Sequence, residues 1–165
     1  MILTKATDEN QILFNIEKTL EEFGLTDFEL KIFSVFNGIF DENIYEMFKD
    51  RIGILKAVSI FINTFQFINK QSKRAEPEES MFFILVALSN MTMDRYSKNE
   101  VLHGKIPSIL YMLYLEQVFS EAFYIKYCVK RNVINYESKT YSREVEDKFL
   151  NQASEFSHWI VYNSK

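Results

Sequence analysis

The side chains in this sequence best suited to acid–base or nucleophilic chemistry are His103, His158 and Cys128. His103 stands beside Gly104 in a segment that reads as a loop, which suits a surface or hydrogen-bonded imidazole better than a catalytic base. His158 adjoins Trp159 on the last predicted helix, where packing is its simplest role. Cys128 lies in an apolar helical stretch, the setting of a buried and inert thiol. A single cysteine closes no internal disulfide, and with two distant histidines it makes no metal-binding spacing. The acid pairs Glu21-Glu22 and Glu78-Glu79 are adjacent in sequence, so on a helix they diverge by about 100° and make solvated surface rather than a shared-proton dyad. Gly24, Gly38, Gly53 and Gly104 never gather into a phosphate-cradling loop. The expectation is a protein without an active site, a cofactor or a metal.

Acids interleaved with aromatics are the more informative pattern. Tyr114 to Tyr127 read YLEQVFSEAFYIKY, and Glu155, Phe156, Trp159 and Tyr162 follow near the end of the chain. Ring faces accept the alkyl stems of lysines and attract their ammonium groups, while carboxylates supply the opposite charge. Aromatic stripes at helical spacing are more often core than surface, so the pattern alone marks a candidate and no more. A basic group, Lys126, Lys130 and Arg131, lies on the same stretch; it is a candidate face for an acidic partner and, more simply, solvated surface.

Helices must position these residues. Ile12, Ile16, Leu20 and Phe23 recur on one face before Gly24, and Thr26 with Glu29 has the spacing of a capping box for a second helix. Asp41 can cap a short third helix to about Phe48, and the apolar stretch Gly53–Ile68 is long enough for a fourth. After the polar connector Asn69–Glu79, Pro77 opens a helix running to about Met91, and a turn falls at Asp94–Ser97. Pro107 opens a helix to Glu116, Ser120 caps Glu121–Arg131, and one last helix spans Ser142 to Tyr162. On that last helix Val145, Phe149, Ala153, Phe156 and Ile160 share a face. Several helices are apolar on two faces, which calls for neighbours on both sides, as in stacked antiparallel helix pairs.

Length and composition agree. The chain has 165 residues, 47% hydrophobic and 16% aromatic, with only 4 Gly and 2 Pro, so one helical domain fits and a turn-rich β-sandwich does not. Net charge is −4, which disfavours a general nucleic-acid binder. Residues 1–60 carry 11 acids and 6 bases while 61–165 carry 12 and 13, so opposite charge gathers on different parts of the chain. The longest strongly apolar stretches, such as Met81–Leu88 and Ile106–Leu115, are too short to cross a bilayer, and no signal-peptide pattern opens the chain. A cytoplasmic monomer without nucleic-acid or membrane contact is expected.

The run Lys105-Ile106-Pro107-Ser108-Ile109-Leu110, preceded by Leu102 and followed by Met112, Tyr114 and VFSEAFYIKY, resembles the C-terminal domain family of eukaryotic translation initiation factor 5. There an L-x-x-K-I-P-x-I-L segment leads into a first acidic–aromatic box. Ser138 to Glu144, then Phe156, Trp159 and Ile160, is similar to the approach to the second box, with its F-x-x-W-L core. The likeness is close over Leu102–Ile160 and looser from Gly38 through Leu88.

The resemblance implies an all-α, HEAT-like superhelical domain over residues 1–165, without the family's N-terminal GTPase-activating half. It implies a non-catalytic docking hub that binds lysine-rich segments of the beta subunit of initiation factor 2, together with initiation factors 3 and 1. Glu116, Phe119, Glu121 and Tyr127 match the first box, and Glu155, Phe156 and Trp159 the second. Tyr127 stands where the family has tryptophan, and Leu115, Gln117 and Ser120 stand where acids are common. Val161 to Lys165 replace an acidic tail. Fewer acids predict weaker, less salt-sensitive capture of lysine-rich partners. The alternatives are the related C-terminal domain of the exchange-factor epsilon subunit, a stand-alone competitor of the full factor, and an unrelated helical scaffold whose rings are all core.

Overall fold

Proline and the short polar side chains set the helix starts. The computed structural model describes residues 29, 30, 33, 36, 37, 40–50, 77–132 and 138–164. The helix expected over Ile12–Phe23, the one expected over Gly53–Ile68 and most of the connector between Asn69 and Glu79 lie outside the described residues. Helix α1 is Ile44–Asp50, and the Asp41 carboxylate accepts from Asn43 N (2.8 Å) just ahead of it. Pro77 begins α2, Pro77–Asn90, where its missing N–H is no loss. Short α3, Glu100–Gly104, is capped by Asn99, whose side chain accepts from Leu102 N. Helix α4 is Ile106–Leu115, one residue earlier than its proline suggests. Ser120 caps α5, Glu121–Tyr124, and Ser142 caps α6, Arg143–Gln152. The last helix is α7, Ser154–Asn163. Among the described residues there is no strand, and the fold is all-α.

Three boundaries differ from the sequence expectation. The helix expected from Ser142 to Tyr162 is two helices that break at Ala153, whose N–H is shared between Phe149 O and Leu150 O. Neither glycine nor proline lies there. The break is made by packing: α6 lies against α2, whereas α7 lies against α4. A straight rod could not serve both, and completely buried Ala153 leaves room for the bend.

The second difference is that α2 continues as a π turn, Met91–Arg95, so the expected turn at Asp94–Ser97 moves to Tyr96–Lys98. Ser89 Oγ donates to Leu85 O (2.7 Å) and Thr92 Oγ1 to Leu88 O (2.8 Å), and such back-bonding opens a helix. His103, expected in a loop, lies within α3. Its Nε2 faces Thr92 O at 2.7 Å and Tyr96 O at 3.1 Å, so it donates to one carbonyl within the π turn and one just after it. The third difference is α5, which widens into a π turn at Ile125–Val129 instead of running to Arg131.

Helix α2 is the centre of the core. Phe82 through Ser89 are all buried, as befits a helix with neighbours on every side. Each large apolar side chain so buried contributes about 1.5–3 kcal/mol relative to exposure. Helix α4 lays Ile106, Ile109, Leu110 and Leu113 against this core, and α7 adds Phe156 and Ile160. A buried carboxylate ties distant segments together: Glu29 accepts from Ser138 Oγ, Lys139 N (2.6 Å) and Thr140 Oγ1 (2.8 Å). That use satisfies an acid taken out of water. Asn90 Nδ2 holds the same segment through Thr140 O (3.0 Å), which sets up the start of α6. No helix among the described residues is long and apolar enough to cross a membrane.

Candidate functional site

Helix α4 has two apolar faces, and the second one builds the site. Positions 106, 109, 110 and 113 face inward, while Ser108, Tyr111 and Leu115 recur at the same helical spacing on the outside. Tyr111 is 40% exposed and Leu115 57% exposed. Trp159, on α7, meets Tyr111 edge to face with ring centroids 4.9 Å apart, and meets Tyr114 at 5.8 Å. Trp159 itself is 38% exposed, so its ring is part core and part surface.

These outer rings stand on a column of inner ones. Trp159 stacks on Phe156 at 5.9 Å, Phe156 meets Phe119 at 6.0 Å and Tyr124 at 4.9 Å, and Phe119 stacks on Tyr124 at 5.5 Å. Tyr124 closes the base: its hydroxyl pairs with Ser157 Oγ at 2.9 Å, and burial pushes its phenol well above the usual range. Each ring pair adds about 0.5–1.5 kcal/mol beyond burial. Phe119 and Phe156, both expected to touch partners, are core residues that fix Trp159 in place from below.

Two exposed carboxylates lie on the same two helices as the outer rings. Glu116 follows Leu115 at the end of α4, and Glu155 lies one turn before Trp159 on α7. Both are exposed, and neither makes an ion pair with another described residue. Gln117, directly after Glu116, adopts a left-handed backbone (φ 61°), and the N–H of Val118 closes the helix end on Leu113 O (2.9 Å). The left-handed bend turns the chain sharply away, which leaves Leu115 and Glu116 standing at a corner.

The remaining residues of the first box are arranged differently. Glu121 sits half-exposed at the start of α5. Tyr127 is buried, with its ring 5.0 Å from Phe123 and its hydroxyl donating to Glu78 Oε2 (3.1 Å). Lys126 Nζ lies 4.9 Å from the Tyr127 ring centroid and 3.6 Å from Glu78 Oε2. Its ammonium pKa is raised, first by a hydrogen bond with Tyr127 and then by the Glu78 charge.

Arg131 is likewise engaged. Its guanidinium pairs with Glu146 and with Asp147 (2.7 Å). Burial works against the Arg131 charge, but Glu146 and Asp147 outweigh it and raise the pKa. Of the expected basic face, only Lys130 stands exposed without a described ion-pair partner. Cys128 beside them has its thiol pushed well up by burial, and further by the nearby Glu146 charge, as suits an unreactive sulfur. A shallow groove of about 520 Å³ runs past Cys128, Val129, Ser157 and Tyr162. No group of three or more metal-binding side chains occurs among the described residues.

Tyr111, Leu115 and Glu78 were not singled out by sequence as site residues. A signal for the first two did exist: Ser108, Tyr111 and Leu115 follow the i, i+3, i+7 rule on the face opposite the core positions. Comparison with family models, curated proteins and solved structures finds no match to this chain.

Proposed function

We propose that this chain is a non-catalytic docking hub of translation initiation, of the kind formed by the C-terminal domain of initiation factor 5. Its helices stack as HEAT-like antiparallel pairs, a reading supported by the all-helical fold and by a central α2 buried on every side. It binds lysine-rich segments of the beta subunit of initiation factor 2, and other surfaces serve initiation factors 3 and 1. The observation that carries the reading is the half-exposed Tyr111–Trp159 ring pair, 4.9 Å apart, together with two exposed carboxylates. Glu116 lies at the end of the same helix as Tyr111 and Glu155 one turn before Trp159, and neither has an ion-pair partner among the described residues.

Lysine stems lie along the exposed ring faces, and their ammonium groups reach the two acids. The resemblance supplies the partner; the surface supplies chemistry that suits it. A lysine-rich segment of that beta subunit, immobilised, is expected to retain the protein at moderate salt and to release it as salt rises. A Tyr111→Ala, Trp159→Ala double variant and a Glu116→Lys, Glu155→Lys double variant should both pass through. Equal retention of all three proteins would overturn the assignment of this surface.

A further inference from the structure

The aromatic face leaves one cluster unexplained, at the N-terminal end of α2. Tyr127 donates its hydroxyl proton to Glu78 Oε2, so a ring from the π turn after α5 and a carboxylate from α2 form one acceptor. Lys126 Nζ sits 4.9 Å from the centroid of that ring and 3.6 Å from that same oxygen. An ammonium over an aromatic face and beside a carboxylate is the geometry in which a protein takes up a lysine from elsewhere. Here the lysine is its own. Neighbours in sequence diverge by about 100° on a regular helix, so Lys126 has to curl its side chain back to reach the Tyr127 ring.

We infer that Tyr127 and Glu78 form a second lysine-binding site, which Lys126 fills in cis and so keeps from a lysine-rich partner. The partner class rests on the docking reading above; the occupied geometry does not. The side chains of Lys126 and Glu78 are 48% and 35% exposed, so the occupant is in contact with water and can exchange. Exposed ion pairs are weak, and a partner with several lysines presents each one at high local concentration once the first has bound. Lys130, exposed one turn further on, adds positive charge that an arriving lysine must meet. Removing the Lys126 side chain takes away the competitor and uncovers ring and acid together.

The test is titration of a fluorescent oligolysine peptide at low salt, read by anisotropy. Lys126→Ala is expected to bind about three- to tenfold more tightly than the wild type. Adding Glu78→Gln should reverse the gain. Lys148→Ala, which frees Glu144 from its i,i+4 pair where no ring is involved, should leave the affinity unchanged. The inference is overturned if Lys126→Ala gives no gain, if the gain survives Glu78→Gln, or if Lys148→Ala matches it. Tyr111→Ala and Trp159→Ala, made in both backgrounds, separate the two ideas. If the docking reading fails, those changes leave wild-type binding unaltered, while the Glu78-dependent gain in Lys126→Ala must still appear. Lys126 is exposed, and unchanged far-ultraviolet circular dichroism confirms that the variant folds.

Discussion

The two ends of the aromatic–acidic stretch use the same residue types to opposite effect. At the Trp159 end, rings emerge from a packed column into solvent, and exposed Glu116 and Glu155 lie on the same two helices without described ion-pair partners. At the Tyr127 end, the ring is buried, its hydroxyl is spent on Glu78, and Lys126 and Arg131 already neutralise Glu78, Glu146 and Asp147. Acid and ring together therefore do not define a docking surface. What matters is whether the chain's own cations have reached them first.

The largest expected effect lies under the open end. Phe156→Ala removes the ring that joins Trp159 to Phe119 and Tyr124, and it should cost about 3–5 kcal/mol in denaturant unfolding. A much smaller loss would mean that the column does not hold the outer rings, and the contrast between the two ends would weaken.

At the closed end, Arg131→Ala should cost about 1–2 kcal/mol, because mostly buried Glu146 keeps its charge and loses the guanidinium. Chemical denaturation near neutral pH measures it. Both ends also share an alkaline dependence. Burial raises the pKa of Tyr124 at the open end and Cys128 at the closed end, so each ionises more readily in the unfolded chain. Their contribution is complete below the ordinary values of 9.0 for the thiol and 10.0 for the phenol, and is lost as pH rises above them. Stability should fall above pH 9, and Cys128→Ala with Tyr124→Phe should flatten that fall.

A smaller effect separates the ends by sign. Gln117 (φ 61°) and Arg131 (φ 57°) each close a helix in the left-handed region that favours glycine. Gln117→Gly should raise stability by about 0.5–1 kcal/mol, since its exposed side chain makes no hydrogen bond to another described residue. Arg131→Gly should lower it, because the relief of strain does not offset the lost ion pairs. Thermal melts of the two variants decide whether the signs differ. Of comparable size, Tyr111→Ala should cost about 0.5–1.5 kcal/mol in unfolding stability, the worth of its edge-to-face contact with Trp159, while removing retention on a lysine-rich segment. A large stability loss would make Tyr111 core rather than surface.

Much of this was legible in the residues. Pro77 and Pro107 stand at or beside helix starts, and the Ser120 and Ser142 caps act locally, through their own backbone geometry, so spacing alone places them. The apolar face shared by Phe149, Ala153, Phe156 and Ile160 was legible from helical spacing, and all four are buried. The break at Ala153 was not legible, because no residue there disfavours a helix; it goes with α6 packing chiefly on α2 while α7 packs on α4. Glu29 has the spacing of a capping-box acid, yet its carboxylate holds Ser138, Lys139 and Thr140, more than a hundred residues away.

The sequence by itself determined the helical class, most helix starts among the described residues and the absence of any phosphate-cradling glycine motif, since these depend on neighbours within one or two turns. Only the tertiary structure decided which acidic–aromatic residues face water. Phe119 and Tyr127 went inside, Tyr111 and Trp159 came out, and Lys126 was set on its own chain's ring. Those outcomes depend on which helix packs over which face and how far a cation can reach. Spacing along one helix carries no record of either.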